Sequence, residues 1–206
     1  PLDDRTSERF EPSLAGRPTL IRGNSQLFFA GMGRLSENSV VSIKNKSWSV
    51  TAEIDVPESG SSGVIIAQGG RFGGWSLYVR DGAAVFVYNV LGIHSFETAA
   101  THPIPTGTHQ VRMEFAYDGG GLGKGGAVTL YYDGEAVGTG RVAATQAMVF
   151  SADETTDVGY ESGTLPKIWF PRIVIPLAPG TSAFVDLGIG MVLLFVTALI
   201  QGVRPD

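Results

Sequence analysis

The stretch most suggestive of chemistry is a glycine-rich loop with one lysine, D-G-G-G-L-G-K-G-G at Asp118–Gly126. Such loops cradle phosphates when they follow the pattern G-x-x-x-x-G-K-[ST] between a strand and a helix. Here the first glycine position of that pattern holds Asp118, and the lysine is followed by Gly125, which has no hydroxyl for magnesium. The next segment, G-A-V-T-L-Y-Y, has the composition of a strand, so no helix N-terminus would face a ligand. The loop is therefore predicted to connect two strands.

Three carboxylates within Ser151–Gly159 are the best candidates for a metal site: Asp153, Glu154 and Asp157. Carboxylate oxygens are the ligands that calcium prefers, but the stretch lacks the register of an EF-hand loop. Three carboxylates also supply too few of the roughly six to eight oxygens that calcium takes. A solvated acidic loop is the favoured interpretation, with a calcium site as the alternative.

Nucleophiles and histidines show no catalytic arrangement. His94, His102 and His109 lie in separate segments without H-x-x-x-H spacing, which favours surface positions over a metal or catalytic role. No serine lies in a G-x-S-x-G elbow. The chain has no cysteine, which excludes a disulfide or a thiolate metal site. No residue is therefore predicted to be catalytic or to bind a cofactor.

Aromatic residues on the predicted strands are the last group that could bind a ligand. Such residues could form a platform for a sugar ring, although aromatic residues that alternate along strands are more typical of a sandwich core. The set comprises Trp75, Tyr78, Phe86, Tyr88 and Phe96. Core packing is the favoured interpretation, and sugar binding is the alternative.

Alternation of apolar and polar residues predicts the strands that must position these groups. The clearest strand runs from Trp48 to Val56 and is ended by Pro57. Asp-Gly pairs at 81–82 and 133–134 lie between alternating runs and predict two β-hairpins. Further strands are predicted at 63–68, 74–79, 84–88, 111–117, 128–132 and 136–142. The predicted fold class is all-β, an antiparallel two-sheet sandwich.

Composition agrees with this fold class. The chain has 206 residues, of which 28 are glycine and 11 proline, a content that favours many turns and short strands. Hydrophobic residues make up 43% and charged residues 17%, as in globular proteins. The formal net charge of −5 leaves no basic footprint for nucleic acid, which is not expected as a partner.

The two ends of the chain differ from the predicted sandwich, which spans residues 24–163. Residues 1–23 are charged and bounded by prolines, and they are predicted to form an extended lead-in with a short helical turn at Thr6–Phe10. The chain begins with Pro1 and shows no signal peptide, which favours a piece of a longer polypeptide. Residues 164–206 form an atypical apolar tail. Its uncharged run Leu187–Ile200 is shorter than the roughly 18 residues of a membrane span, which argues against membrane insertion.

A series of motifs in order along the chain carries a family resemblance. The series includes N-S-Q-L-F-F-A-G-M-G-R-L-S-E-N-S and K-N-K-S-W-S-V-T-A-E within residues 16–57, and G-R-F-G-G-W-S-L-Y-V-R-D-G within 63–82. It continues with H-Q-V-R-M-E-F-A-Y-D-G-G-G-L-G-K-G-G at 109–126 and F-S-A-D-E-T-T-D-V-G at 150–159. With these motifs, residues 1 to about 163 resemble the C-terminal region of large bacterial arylsulfatases. The resemblance implies a jelly-roll sandwich of the concanavalin A-like (laminin-G-like) type behind a sulfatase domain.

The resemblance implies a parent enzyme that hydrolyses sulfate esters with a formylglycine and a calcium ion, both in its catalytic domain. The formylglycine derives from a C/S-x-P-x-R motif, and this chain contains no such motif. The implied function is that of an accessory fragment, partnered by the arylsulfatase catalytic domain and by a sulfated substrate or glycan. The alternative is a lectin-like module that binds carbohydrate or sulfated glycan.

The tail departs from the family pattern, which closes on a strand of the form F-x-G-x-I-x-x-V-x-I-D-L. Residues from Leu165 onward are apolar and interrupted by prolines instead. We expect a frameshift or a misjoined gene fragment near codon 164, which reading the encoding DNA in the other two frames would test. A sandwich without its closing strand would have an open edge, which is prone to aggregation.

Overall fold

The computed structural model describes residue 21, residues 23–150 and 154–160, and the backbone of residues 196–199. This part of the chain contains eleven strands and one short 3-10 turn, Glu37–Ser39. The strands are β1 (Ser25–Phe28), β2 (Trp48–Val56), β3 (Gly63–Gly70), β4 (Gly73–Arg80), β5 (Ala83–Val90), β6 (His94–Ala99), β7 (Gly107–Tyr117), β8 (Lys124–Tyr132), β9 (Glu135–Ala144), β10 (Thr156–Val158) and β11 (Val196–Leu199).

The strands form two antiparallel sheets. The six-stranded sheet has the order β1-β11-β2-β7-β8-β9, and the five-stranded sheet has the order β10-β3-β4-β5-β6. All the described strand pairs are antiparallel. The structure confirms the predicted all-β class and the two-sheet jelly-roll sandwich of concanavalin A-like type.

Both predicted Asp-Gly hairpins are confirmed. Asp81 and Gly82 have φ angles of 52° and 79°, and they join β4 to β5 with Arg80 opposite Ala83. Asp133 and Gly134 have φ angles of 50° and 89° in the turn between β8 and β9. Two successive residues with positive φ are the requirement of a type I′ turn, whose twist matches that of the flanking strands.

The core lies between the sheets and is built around tryptophan. The rings of Trp48 on β2 and Trp75 on β4 are 4.6 Å apart, so they link the two sheets directly. Phe86 on β5 lies 6.0 Å from Trp48, and Phe115 on β7 lies 6.2 Å from it. Such tilted and edge-on ring pairs add to the stabilisation from buried area.

At one side of the sandwich, β6 of the five-stranded sheet packs on β9 of the six-stranded sheet. Two glycines of β9 allow this close approach. A Cβ added at Gly138 would lie 2.5 Å from the carbonyl oxygen of Ala99, and one at Gly140 would lie 2.0 Å from Oγ1 of Thr98. Any larger residue at these positions would therefore separate the two sheets.

In the five-stranded sheet, β3, β4 and β5 are buried on both faces, whereas most residues of the edge strand β6 are exposed. In β5, Phe86 and Tyr88 belong to the core between the sheets, whereas Val85 and Val87 alternate with them and lie on the opposite face. Val85 and Val87 are nevertheless each only 1% exposed. They belong to a second set of buried residues, which we call the outer cluster: Val64, Ala67, Tyr78, Val85 and Val87.

The structure differs from the expectation of an unfilled edge. Within the predicted tail 164–206, residues Val196–Leu199 form β11, which pairs with β1 and β2 in the six-stranded sheet. This short segment comes from the uncharged run, and its β-branched residues suit a strand between two others. The helical turn expected at Thr6–Phe10 and the rest of the tail lie outside the described residues. Within the described residues, no helix is long and apolar enough to cross a membrane.

Candidate functional site

The glycine-rich loop connects β7 to β8, as predicted from the sequence. Tyr117 at the end of β7 pairs with Gly126 of β8 across the hairpin. Four loop glycines, at 119, 120, 121 and 123, have φ angles between 66° and 124°, a region that glycine adopts without strain. The repeated glycines are thus explained by backbone conformation, and a strand follows the loop.

The loop is anchored by polar contacts to its neighbours. The hydroxyl of Tyr117 donates to the carbonyl of Gly121 at 2.5 Å and accepts the backbone N–H of Lys124 at 2.9 Å. Oδ1 of Asn45 accepts the N–H of Gly123 at 2.8 Å. Asp118 forms a surface ion pair with Arg141 of β9 at 2.5 Å. Backbone groups of Gly121, Gly123 and Lys124 are therefore used to fix the loop itself.

Among the three predicted carboxylate candidates, Asp157 has a clear structural role. It lies on β10, opposite Ala67 of β3, and is only 1% exposed. Its Oδ1 accepts the backbone N–H of Arg34 at 2.7 Å, while Leu35 bridges to Thr156. This carboxylate therefore ties the segment after β1 to the edge of the five-stranded sheet.

A calcium site at the other two candidates stays a prediction. Glu154 is half-buried and Asp153 lies outside the described residues. In the part of the chain that is described, no group of three or more His, Asp or Glu side chains is placed to hold a metal ion. The favoured expectation of a solvated acidic loop is wrong at Asp157, because that carboxylate is buried in a strand pairing.

The aromatic set belongs to the interior, as favoured from the sequence. Four of its members are no more than 7% exposed, and Phe96 is half-buried against the main core. The four are Trp75, Tyr78, Phe86 and Tyr88. Burial raises the pKa of the Tyr78 phenol to about 12 and also raises that of Tyr88. The four buried rings cannot act as an exposed platform for a sugar.

His94 and His102 are exposed, as expected, whereas His109 is half-buried and forms a pair with a turn residue. Nδ1 of His109 is 2.6 Å from Oδ2 of Asp133, whose Oδ1 accepts the backbone N–H of Gln110 at 2.8 Å. The hydrogen bond with Asp133 raises the pKa of His109. The hydrogen bond from the backbone N–H of Gln110 is the main cause that lowers the pKa of Asp133, and the hydrogen bond with His109 lowers it further. This pair fastens the second Asp-Gly turn to β7.

A pocket of about 490 Å³ lies at one end of the sandwich, where three connections meet. We call it the loop-end pocket. Its lining comes from the end of β2, from the β2–β3 connection at 57–62, from the Asp81–Gly82 turn, and from residues 103, 104 and 106 of the β6–β7 connection. Sequence reasoning missed this site, because its residues are far apart in the chain and belong to no motif.

Backbone hydrogen bonds hold the three connections of the loop-end pocket together. The N–H of Gly82 donates to the carbonyl of Ser61 at 3.1 Å, and the N–H of Ile104 donates to the carbonyl of Gly82 at 2.9 Å. A further bond from Gly60 to Pro57, at 2.9 Å, closes the β2–β3 connection on itself. The pocket is therefore formed before any ligand binds, which lowers the entropic cost of binding.

Comparison with known proteins gives fold likenesses only. No family model matches the chain, and no curated protein matches it significantly. Domains LG4-5 of the mouse laminin alpha1 chain are 14% identical, with a TM-score of 0.43 over 87% of this chain and 39% of theirs. The native heptameric SAP-like pentraxin of Limulus polyphemus is 12% identical, with a TM-score of 0.37 over 85% of this chain and 73% of its own. The chain thus spans well under half the length of the laminin structure.

Proposed function

We propose that this chain is a non-catalytic accessory β-sandwich of an arylsulfatase, which supports the catalytic domain of that enzyme. The ordered motifs that resemble the arylsulfatase C-terminal region carry the family part of the proposal. The contacts made by those motifs support the accessory part. Their polar side chains bind the backbone of neighbouring segments.

The observation that carries the accessory role is the pairing of distant motifs with one another. Arg34 in the first motif series donates its N–H to Asp157 in the last, across 123 positions of sequence. Asn45 accepts the N–H of Gly123 in the glycine-rich loop, and Ser47 accepts the N–H of Tyr117 at 3.0 Å. Residues committed to such joints maintain the shape of a domain and are not free to act on a substrate.

The coding sequence upstream of Pro1 gives the first test of this proposal. We expect it to encode a domain with a C/S-x-P-x-R motif. When the parent is produced with and without residues 24–163, the complete enzyme should unfold at a higher temperature and hydrolyse p-nitrophenyl sulfate. The chain alone should release no sulfate.

The parent that carries Asp157→Asn sharpens this test. Loss of the buried carboxylate should lower the unfolding temperature of the sandwich, since Arg34 then loses a charge-assisted hydrogen bond worth roughly 1.5–3 kcal/mol. Glu53→Gln, at an exposed position of β2, is the matched control and should have no effect. An upstream sequence without the motif, or an unchanged catalytic domain after removal of the sandwich, would contradict the proposal.

Carbohydrate binding is the second candidate function, and the loop-end pocket is the observation that favours it. Its volume of about 490 Å³ falls within the range of roughly 300–1,000 Å³ found for small-molecule sites. Serine, threonine and carboxylate side chains line it together with apolar ones, the mixture that a sugar ring requires. A glycan array probed with the isolated chain tests this function, and a complete absence of binding would refute it.

A further inference from the structure

We propose that the loop-end pocket takes an uncharged or amine-bearing sugar and rejects sulfated ones. This inference rests on the second proposed function, carbohydrate binding, and adds the class of ligand. It concerns a site separate from the motif joints that support the accessory role. The argument comes from the charge, the hydrogen-bonding groups and the shape of the pocket.

Charge determines which sugars the pocket accepts. The described residues that line it include two carboxylates, Glu58 and Asp81, and no lysine, arginine or histidine. Arg80 precedes Asp81 in the chain, but its guanidinium binds Glu97 on β6 at 2.6 Å. The charge of Arg80 also acts on Asp81, but this guanidinium is already paired with Glu97. A sulfate group in the pocket would therefore meet two carboxylates and no cation among the lining residues. Like charges brought together in this way disfavour the anion, whereas an ammonium group would be attracted.

The polar lining offers the groups that recognise hydroxyls. A carboxylate accepts hydrogen bonds from two neighbouring sugar hydroxyls, and serine and threonine hydroxyls both donate and accept. Ser59, Ser61, Ser62 and Thr106 supply such hydroxyls. Oγ of Ser61 is buried and has no hydrogen-bond partner among the described residues. A buried hydroxyl without a partner indicates a missing one, and rotation about a single bond could direct it to a ligand.

The apolar part of the lining and the Asp81–Gly82 turn complete the site. Val56, Pro103 and Ile104 line the pocket beside the polar groups, and such surfaces pack against the C–H face of a sugar ring. Asp81 differs from its counterpart in the other Asp-Gly turn. The carboxylate of Asp133 is engaged by His109 and Gln110, whereas that of Asp81 forms no hydrogen bond with the described residues. Asp81 is therefore available to a ligand.

Titration of the chain, followed by amide resonances in NMR, tests this inference. The probes are glucose, galactose, mannose, glucosamine and galactose 6-sulfate. We expect at least one uncharged or amino sugar to shift the amides of Ser61, Gly82 and Ile104, with a dissociation constant of about 1 mM or tighter. Galactose 6-sulfate should bind more weakly than galactose. Asp81→Asn should weaken binding about tenfold, which corresponds to loss of one charge-assisted hydrogen bond.

Control variants keep the result decisive. Glu53→Gln removes an exposed carboxylate outside the pocket and should leave binding unchanged. If Asp81→Asn unfolds the turn, Glu58→Gln replaces it as the test variant, because Glu58 lines the pocket and lies in an exposed connection. Tighter binding of galactose 6-sulfate than of galactose would overturn the inference while leaving carbohydrate binding intact. Absence of shifts with every probe would overturn both, and neither outcome bears on the accessory role.

Discussion

The two sheets of the sandwich use their outer faces in opposite ways. The six-stranded sheet presents polar residues there, and Arg112, Glu114 and Tyr131 form a surface ion pair and a hydrogen bond across two strands. The five-stranded sheet carries the outer cluster, where Val85 and Val87 are buried as deeply as core residues. A sheet with one wet face produces alternating strands, whereas a sheet covered on both faces produces continuous apolar runs.

The largest expected effect comes from placing a charge on each outer face in turn. Val87→Asp should destabilise the chain by about 3–5 kcal/mol or prevent folding, because the carboxylate would be buried without a partner. Thr139→Asp, at an exposed position of β9, should change stability by less than about 1 kcal/mol. Urea denaturation followed by tryptophan fluorescence measures both.

A gentler exchange covers the case in which Val87→Asp does not fold. Val87→Thr keeps the shape of the side chain and adds one hydroxyl, so it should destabilise by roughly 1–3 kcal/mol, whereas Thr139→Val should be nearly neutral. Equal effects of the two exchanges would show that the two outer faces do not differ.

Truncation of matched valines compares the outer cluster with the main core. Val50 on β2 lies in the core and Val85 on β5 lies in the outer cluster, and each is 1% exposed. Val50→Ala and Val85→Ala should therefore destabilise similarly, by about 2–3 kcal/mol, through lost burial and the cavity left behind. Chemical denaturation gives both values. A loss below about 0.5 kcal/mol for Val85→Ala would indicate loose packing on the outer face.

Tyrosine titration separates the two faces by the cause of each pKa shift. Burial raises the pKa of Tyr78 in the outer cluster from 10.0 to about 12. The pKa of Tyr131 on the wet face is raised chiefly by its hydrogen bond to Glu114. Glu114→Ala should lower the pKa of Tyr131 and leave the pKa of Tyr78 unchanged, as read from ring carbon shifts in NMR. A fall in the pKa of Tyr78 in this variant would contradict the assignment.

The same shift of Tyr78 predicts loss of stability in alkali. Because the pKa of Tyr78 is higher in the folded than in the unfolded chain, its contribution is complete below pH 10.0 and is lost as pH rises through about 12. Tyr78→Phe should reduce this loss of stability in alkali. Tyr131→Phe, which removes the hydroxyl of a half-buried tyrosine, is the variant for comparison. Equilibrium unfolding across this range measures the difference.

The smallest expected effect compares the two Asp-Gly turns. The pKa of His109 is raised from 6.5, so its contribution with Asp133 is complete below that pH and is lost as pH rises through the raised pKa. The pKa of Asp133 is lowered from 3.8, so the contribution is also lost as pH falls through the lowered value. His109→Ala should reduce the variation of the unfolding temperature with pH between these two pKa values. His94→Ala should leave that variation unchanged. Equal profiles for the two variants would refute the role of the pair.

Periodicity predicted the strands wherever local sequence and environment agreed. β2 was predicted from Trp48 to Val56 with its true ends, because polar residues alternate with core residues and Pro57 follows. Both Asp-Gly turns were predictable, because positive φ at two successive positions restricts the residue types. β1, β6, β10 and β11 were missed, since they are short, and β1, β10 and β11 are stabilised by pairing with strands from distant parts of the chain.

The candidate site could not be predicted in the same way. The residues that line the loop-end pocket come from connections separated by about twenty positions, and nothing in their local patterns distinguishes them from ordinary turns. For Asp157, by contrast, the local sequence did suggest a role, but not the one that the structure shows. Its acidic neighbourhood indicated a solvated loop or a metal, but its position in β10 places it under Arg34 as a structural acceptor.

The sequence by itself determined the all-β class, the main hairpins and the role of the glycine-rich loop, because each depends on residues close together in the chain. Only the tertiary structure decided which faces are buried, where β11 pairs, and which side chains surround the loop-end pocket. Those features depend on contacts between distant segments, which alternation along one strand cannot specify. Burial and hydrogen bonding across the sandwich then assign polar residues such as Asp157 and Asn45 to structure, and leave Asp81 for binding.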